Sequence, residues 1–501
     1  MATPHTYDVI VIGLGISGTT ALAQLARGGL SVLGLEATDR VGGRVKTVEF
    51  GDGVVELGAE WIHGTVNNRI YDIVLSVDQP VAPQDLTFRV YRSDGTRGDD
   101  ALVNELVDYC VGGLWNPNAD EAEGLGDYVV RECNKYIQAN HPALLKDTEF
   151  ITEFYEFANL LMNNYESSND WNDVTTSSTY EDLDGEQHMS WQRCGFKTLF
   201  DIVLNKHNNG PGIPGADMQF NKPVSQIRWS KNPTEPVQVT TADGHQYRAK
   251  TVLVTVSVGV LKERHMKLFE PPLPEHKVEA IETLTIGVMD KIILSFAAPW
   301  WSEGESFIGF IWRTEDKVLV PAEDYWTTRI FGASPPRGAG NALTLWTSGE
   351  VAKLVETLPE DVVRRKAVDL LRRFIGDKVT EPTGMIRSTW YSNPYTRGSY
   401  TFDNRMRHQH PRARTYLAEP VVDTANSNPN TRGSYTYDNR MRHQHQRART
   451  RLAEPVVDSA NRPKLLFAGE ATNETHFSTV HGAYETGVRE ASRLLGVKSK
   501  I

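Results

Sequence analysis

One stretch near the amino terminus limits what this chain can fold into. Tyr7-Asp8-Val9-Ile10-Val11-Ile12 is an apolar, β-branched run that enters Gly13-Leu14-Gly15-Ile16-Ser17-Gly18, and a helix-forming stretch follows to Arg27. A second apolar strand, Ser31-Val32-Leu33-Gly34-Leu35, ends in Glu36, and Arg40-Val41-Gly42-Gly43-Arg44 comes soon after. Strand, glycine turn and helix N-terminus set bare backbone N–H groups and the positive end of a helix dipole against a pyrophosphate. Gly13 permits the turn, Gly15 lets the phosphate approach, and Gly18 lets helix pack on strand. Glu36, eighteen residues after Gly18, is placed to accept from ribose hydroxyls and to repel a 2′-phosphate. The fingerprint alone leaves NAD and FAD open. Arg44 tilts toward FAD, because a fixed guanidinium pairs well with diphosphate oxygens.

A chain of 501 residues can bury a large core and divide into two or three domains. Its net charge of −11 argues against a nucleic-acid partner and favours cationic ligands. Cys110, Cys133 and Cys194 form no CxxC and are odd in number, so inert thiols are expected rather than a disulfide framework or zinc site. No metal site is expected. The first strand begins at Tyr7, which leaves no room for a signal peptide. The apolar run from Val252 to Leu261 is too short to span a bilayer, so no membrane association is expected. The terminal Ser499-Lys500-Ile501 departs by one residue from the Ser-Lys-Leu peroxisomal address, giving a cytoplasmic or peroxisomal expectation.

Further along, Val54 to Gly64 reads as a strand entering a glycine-flanked turn. Residues 80 to 200 read as a helical insertion, with Leu102, Leu106, Val107 and Cys110, then Phe154, Phe157, Leu160 and Leu161, at helical spacing. Acidic residues and serines between 165 and 186 predict an exposed loop. Val224 to Val260 returns to strands around a turn at Ala242-Asp243-Gly244. Aromatic-rich strands follow over 290 to 347, then a helix from Leu358 to Phe374, a buried strand from Lys464 to Glu470, and a closing helix over 479 to 495. The boundaries this implies are a nucleotide domain built from 1–80, 206–288 and 463–501, interleaved with a second domain built from 81–205 and 289–462. The ligand cleft is expected between them.

Asn393 to Ser427 repeats as Asn428 to Arg462, identical at 29 of 35 positions. Two copies do not make a solenoid. One copy is therefore expected to be additional to the fold.

These motifs resemble the flavin-containing amine oxidase family, and most closely its polyamine and spermine oxidase branch. The resemblance rests on the glycine turn, Arg40 to Arg44, Leu57-Gly58-Ala59-Glu60-Trp61-Ile62-His63-Gly64 and Thr255-Val256-Ser257-Val258-Gly259-Val260-Leu261. It extends through Lys291 to Phe296, Phe467-Ala468-Gly469-Glu470-Ala471-Thr472 and Val480-His481-Gly482-Ala483-Tyr484. It implies a two-domain α/β fold: a Rossmann-like FAD-binding domain with an interleaved α+β substrate domain.

By the same resemblance, Gly13, Gly15, Ser17 and Gly18 match the pyrophosphate turn, Glu36 the adenosine ribose contact, Arg44 the diphosphate contact and Val224 a backbone contact to adenine. Gly58, Ala59, Glu60 and Trp61 belong to the segment beside the flavin. Gly469 and Glu470 match the ribityl-phosphate region, and Thr479 and Val480 the flavin's pyrimidine edge at a helix N-terminus. Trp390 and Tyr400 match aromatics on the flavin face, although Tyr435 in the second repeat copy competes with Tyr400 for that place. Lys291 matches a lysine that holds a water near flavin N5, and His63 a histidine that orients the substrate amine. Glu60 stands beside His63 as a carboxylate able to attract a polyamine or to cap the turn. Ser399 and Ser434 stand where monoamine oxidases carry a flavin-linking cysteine, which implies non-covalent FAD.

The activity so implied is oxidation of spermine, spermidine or their N-acetyl derivatives by hydride transfer to FAD, with imine hydrolysis and reduction of O2 to hydrogen peroxide. An L-amino-acid oxidase of the same fold and a catalytically impaired flavin-binding scaffold remain alternatives. The sequence leaves the oligomeric state open.

Overall fold

Within the strand Thr6–Ile12, side chains alternate between two hydrophobic layers. Ile10 and Ile12 pack with Val258, Leu261 and Ala280 on one face, while Val9 and Val11 pack with Ala21, Leu22 and Ala491 on the other. A strand covered on both faces has no use for polar residues, and that is why Val9 to Ile12 reads as an unbroken apolar run. The computed structural model describes residues 5–112, 123–232, 234–302, 306–404, 417–418, 421–422 and 463–496.

Thr6–Ile12 pairs in parallel with Val32–Leu35 on one side and with Gln246–Val254 on the other. Ala216–Gln219 extends the sheet in parallel beyond Val32–Leu35, and Pro463–Phe467 pairs in parallel with Gln246–Val254. Val237–Thr241, Val224–Arg228 and Phe269–Glu270 complete this side of a nine-stranded sheet. Its strands are thus drawn from separated stretches of chain around one doubly wound core, the arrangement of a dinucleotide-binding domain. The helix Val480–Leu495 lies against Ile16–Arg27 so closely that a Cβ on Gly487 would stand 2.3 Å from the Ser17 carbonyl oxygen.

A second, six-stranded sheet runs in the order Gly384–Arg387, Met289–Ser295, Ala342–Ser348, Gly332–Ser334, Phe307–Ile311, Phe88–Arg92. Alternation again sorts its faces. Phe307 and Ile311 join Phe154, Phe157 and Leu161 of the helix Thr148–Glu166, whereas Ile308 and Phe310 join Val363, Leu371 and Phe374 of the helix Glu360–Ile375. The mixed α/β architecture built on two large sheets is the fold class expected from the sequence.

Three local expectations need correction. Residues 80 to 200 are not purely helical, because Phe88–Arg92 joins the second sheet in parallel with Phe307–Ile311. Val260 is helical, not extended: Val258–Leu268 is a helix whose first turn is capped by Ser257, the hydroxyl accepting from the Val260 N–H. The acidic, serine-rich stretch after 165 is not simply exposed, since Ser167, Ser168, Thr175 and Thr176 are buried. Cys110 and Cys133 are free, buried thiols whose sulfurs face each other. The second repeat copy, with Ser434 and Tyr435, lies outside the described residues, as does Ser499-Lys500-Ile501. In the first copy, Leu417 is buried in the core of the large sheet. No described helix is long and apolar enough to cross a membrane.

Candidate functional site

A cavity of about 1090 Å³ runs between the two sheets. Every residue singled out above from the resemblance borders it except Gly18, Ser399's competitor Ser434 and Tyr435, of which the last two are not described. Gly18 sits behind the turn: a Cβ there would lie 2.0 Å from the Gly13 carbonyl oxygen and 2.9 Å from Thr255 Oγ1. Gly13 itself has φ +91°, which favours glycine, whereas Gly15 has an ordinary φ of −67° and no atom nearer than 3.9 Å to an added Cβ. The space at Gly15 opens into the cavity, at the start of the helix Ile16–Arg27, whose N-cap offers no side-chain acceptor. Bare N–H groups there suit an anion.

The second glycine cluster braces this turn. Gly42 N–H donates to the Leu14 carbonyl at 2.8 Å, and Arg40 holds the cluster closed through the carbonyls of Val41, Gly43 and Val45. Glu36 is almost buried, with Oε2 accepting from the Leu14 N–H at 2.8 Å and Oε1 from Thr38. Val224 and Lys222 border the cavity beside it.

Arg44 connects the two ends of the chain. Its Nη1 donates to Glu470 Oε1 at 2.9 Å and to the Ser399 carbonyl at 2.6 Å. Glu470 Oε2 accepts from Thr401 Oγ1 and the Ser478 N–H. Thr479 caps the helix Val480–Leu495 by accepting from the Gly482 N–H.

Lys291 is 1% exposed, in the strand Met289–Ser295. Its ammonium donates to the carbonyls of Glu56 and Gly58, each at 3.0 Å, and to Glu60 Oε2 at 2.7 Å, and it lies 4.5 Å from the centre of the Trp346 ring. Three ammonium hydrogens thus meet three acceptors. A water beside Lys291 must share one of them, and Glu60 is the counter-ion of the lysine rather than a free carboxylate. Trp346 stacks on Trp61 at 5.5 Å, and Trp61 is anchored by Nε1 donating to Gln84 Oε1. Trp390 is fixed by Nε1 donating to the Leu57 carbonyl, and Tyr400 by its hydroxyl donating to the Asn164 carbonyl at 2.6 Å.

His63 packs edge-on to Trp61 and His188, and burial holds its pKa below the ordinary histidine value despite a hydrogen bond to the Gln187 backbone. Burial pushes His188 down to about 3, with His63 contributing. Both imidazoles are therefore neutral at physiological pH. Burial raises the Tyr400 hydroxyl well above its usual range, reinforced by the negative charge of Glu166. Burial likewise raises the Tyr180 hydroxyl, with the charges of Asp182 and Glu166 adding to it.

His188, Tyr180, Trp346 and Glu166 are cavity residues that sequence reasoning missed. None sits in a recognisable motif. Trp346 reads locally as one more aromatic in a strand, Glu166 and Tyr180 lie in the stretch taken for a surface loop, and His188 lies just beyond it.

The lining also tests which cofactor fits. The cavity pairs a glycine cradle and Glu36 with a long aromatic extension, more than a nucleotide alone needs. No described lining residue is a cysteine, and the Ser399 hydroxyl is bonded to the Met289 backbone, so nothing there offers a thioether to a flavin. Among the described residues no group of His, Cys, Asp and Glu is placed to hold a metal ion.

The profile of the flavin-containing amine oxidoreductases matches residues 16–422 and 418–495, two stretches that meet within the first repeat copy. The peroxisomal N(1)-acetyl-spermine/spermidine oxidase of Bos taurus is 29% identical over 530 residues, spanning 97% of this chain and 94% of that protein. The probable polyamine oxidase 5 of Arabidopsis thaliana is 25% identical over 566 residues, spanning 97% and 98%. Among solved structures, a double mutant of putrescine oxidase matches with a TM-score of 0.65 at 16% identity, covering 99% of this chain and all of that one, which is a likeness of fold.

Proposed function

The chain belongs to the flavin-containing amine oxidoreductase family and is an FAD-dependent amine oxidase, and from that premise we propose that its substrate is a polyamine: spermine, spermidine or an N-acetyl derivative. The observation that carries this reading is the balance of charge along the cavity. Glu166, Glu181, Asp182 and Glu474 border it, while its described arginines, Arg40, Arg44 and Arg264, are committed elsewhere. Arg40 closes the glycine cluster, Arg44 pairs with Glu470, and Arg264 bonds Glu263. An amino-acid substrate needs a cation for its carboxylate. A polyamine needs distributed negative charge and aromatic walls, which attract ammonium groups. The names of the Bos taurus and Arabidopsis thaliana relatives support the same substrate class.

When bound, FAD supplies the acceptor for the two electrons of the amine's C–H bond and returns them to O2 as hydrogen peroxide. The chain's own residues prepare that step. A substrate amine must be neutral to be oxidised, and a protonated amine must first meet an acceptor. A neutral His63, with one ring nitrogen bonded to the Gln187 backbone, keeps an acceptor nitrogen for that proton. Trp61, Trp346, Trp390 and Tyr400 wall the cavity, exclude water and orient the chain of the substrate. Lys291 holds the Glu56-to-Glu60 segment in place and sets a positive charge beside Trp346, suited to steadying a water and negative charge near the redox centre. Gly13, Gly15 and Ser17 form the pyrophosphate cradle, with Gly18 packing behind it. Glu36, Arg44, Val224, Gly58, Ala59, Gly469, Glu470, Thr479 and Val480 complete the proposed FAD contacts.

The test is a panel of spermine, spermidine, N-acetylated polyamines and L-amino acids with peroxide and product detection on flavin-loaded protein. Peroxide with the polyamines alone is expected. Turnover of amino acids in place of polyamines overturns the reading.

A further inference from the structure

Two of the three cysteines face each other beside the cavity wall. Cys110 lies in a single π-helical turn, Asp108–Gly112, that follows the helix Asp100–Val107. Cys133 lies in the helix Leu125–Asn140. The Cys110 thiol donates to Cys133 Sγ at 2.7 Å, and both side chains are buried, 1% and 0% exposed. Around them pack Leu106, Val129 and Phe154, and Tyr109 stacks on Tyr136 at 4.1 Å. The two residues after Cys110, Val111 and Gly112, border the cavity.

We propose that Cys110 and Cys133 are a peroxide-responsive dithiol whose disulfide pins the cavity wall formed by Val111 and Gly112. A disulfide needs about 2.0 Å between sulfurs, so the pair closes with a sub-ångström movement, available within an isolated π-turn. Buried thiols without a nearby partner stay inert, but here each sulfur is the other's resolving group. The Cys110 thiol donates its hydrogen to Cys133, which lowers the Cys133 pKa against the opposing effect of burial. Cys133 is thus the attacking sulfur. Its thiolate displaces hydroxide from one peroxide oxygen, breaking the O–O bond and leaving a sulfenic acid. The Cys110 sulfur then attacks the Cys133 sulfur, the S–S bond forms, and the sulfenic oxygen leaves as water. Two thiols lose two protons and two electrons, and one peroxide becomes two waters. The proposal rests on the amine-oxidase reading only for a local source of peroxide.

The experiment adds hydrogen peroxide directly to reduced, flavin-loaded protein and so stands apart from any amine substrate. Alkylatable thiols are expected to fall from three to one, with an intact mass lower by about 2 Da, a Cys110–Cys133 peptide link, and full reversal by dithiothreitol. Amide hydrogen exchange over 108–112 is expected to slow several-fold in the bridged form. Three thiols persisting, oxidation that stops at sulfinic acid without a link, or equal exchange in the two forms each overturns the proposal.

Discussion

Arg44 Nη1 lies 2.9 Å from Glu470 Oε1, an ion pair between residues 426 positions apart. It ties the glycine cluster near the amino terminus to the turn before the last helix, and both border one cavity. Because Arg44 also holds the Ser399 carbonyl, its loss frees three segments together. Arg44→Ala is expected to weaken FAD binding by roughly 30-fold, about 2 kcal/mol. Glu470→Gln, which keeps acceptors for Thr401 and Ser478, is expected to weaken it less. Flavin fluorescence titration measures both, and unchanged affinity in Arg44→Ala removes the proposed diphosphate contact.

The two glycines of the turn are expected to fail in different ways. A Cβ on Gly18 meets the Gly13 carbonyl at 2.0 Å, whereas a Cβ on Gly15 meets nothing within 3.9 Å. Gly18→Ala should therefore lower the stability of the apoprotein itself, by about 1–3 kcal/mol. Gly15→Ala should leave apoprotein stability intact while weakening FAD binding at least about tenfold, since its methyl points where the pyrophosphate would lie. Denaturant titration of the apoprotein alongside flavin binding separates the two effects. Identical behaviour of the two variants counts against the cradle.

Lys291 and Glu60 are a buried pair, 1% and 6% exposed. Lys291→Met leaves Glu60 and two carbonyls without a donor and should cost about 3–5 kcal/mol of stability. Adding Glu60→Gln removes the stranded charge and should recover part of that. In the folded fraction, anaerobic flavin reduction is expected to change little, while reoxidation by O2 slows by roughly tenfold or more. Stopped-flow traces decide it: equal reoxidation rates would remove Lys291 from the step with O2.

His63→Asn is expected to lower kcat/KM for polyamines by roughly 10²-fold. Burial already holds the His63 pKa below its ordinary value, so the imidazole does not titrate near neutrality. The break in the pH profile of kcat/KM should then belong to the substrate amine and stay in place in the variant. A break that disappears with His63 contradicts this assignment.

Burial raises Glu56 from 4.5 to about 7, although the Phe196 N–H and the Thr47 hydroxyl partly oppose the shift. A raised pKa means that the folded state holds the proton more tightly than the unfolded chain. The associated stability is complete below pH 4.5 and lost as pH rises through 7, on the order of 3 kcal/mol in all. Glu56→Gln, which cannot ionise, should flatten this dependence, with its advantage over wild type growing from pH 5 to pH 8. Chemical denaturation at several pH values measures it; parallel curves for the two proteins mean that Glu56 does not ionise on unfolding.

The strand-turn-helix at the amino terminus was legible because its determinants are local. An apolar, β-branched strand, a glycine turn and an acidic residue at the end of the second strand are all visible within thirty residues. The same holds for the helices after Asp147 and Pro359, where apolar spacing matches the buried face. By contrast, the stretch after 165 reads as surface because its residues are polar. Ser167 instead accepts burial beside Gly287 and hydrogen-bonds the Tyr400 carbonyl, a partner 233 residues away.

What the sequence determined by itself was therefore the doubly wound sheet and the glycine turn that follows its first strand. Only the tertiary structure decided how the residues around them meet. It gave Lys291 to the Glu56, Gly58 and Glu60 acceptors, stacked Trp61 on Trp346, joined Arg44 to Glu470, and brought Cys110 against Cys133. Each of these contacts depends on how separately formed sheets and helices are packed together. Dihedral preference and hydrophobic period act over a few residues and carry no record of that placement.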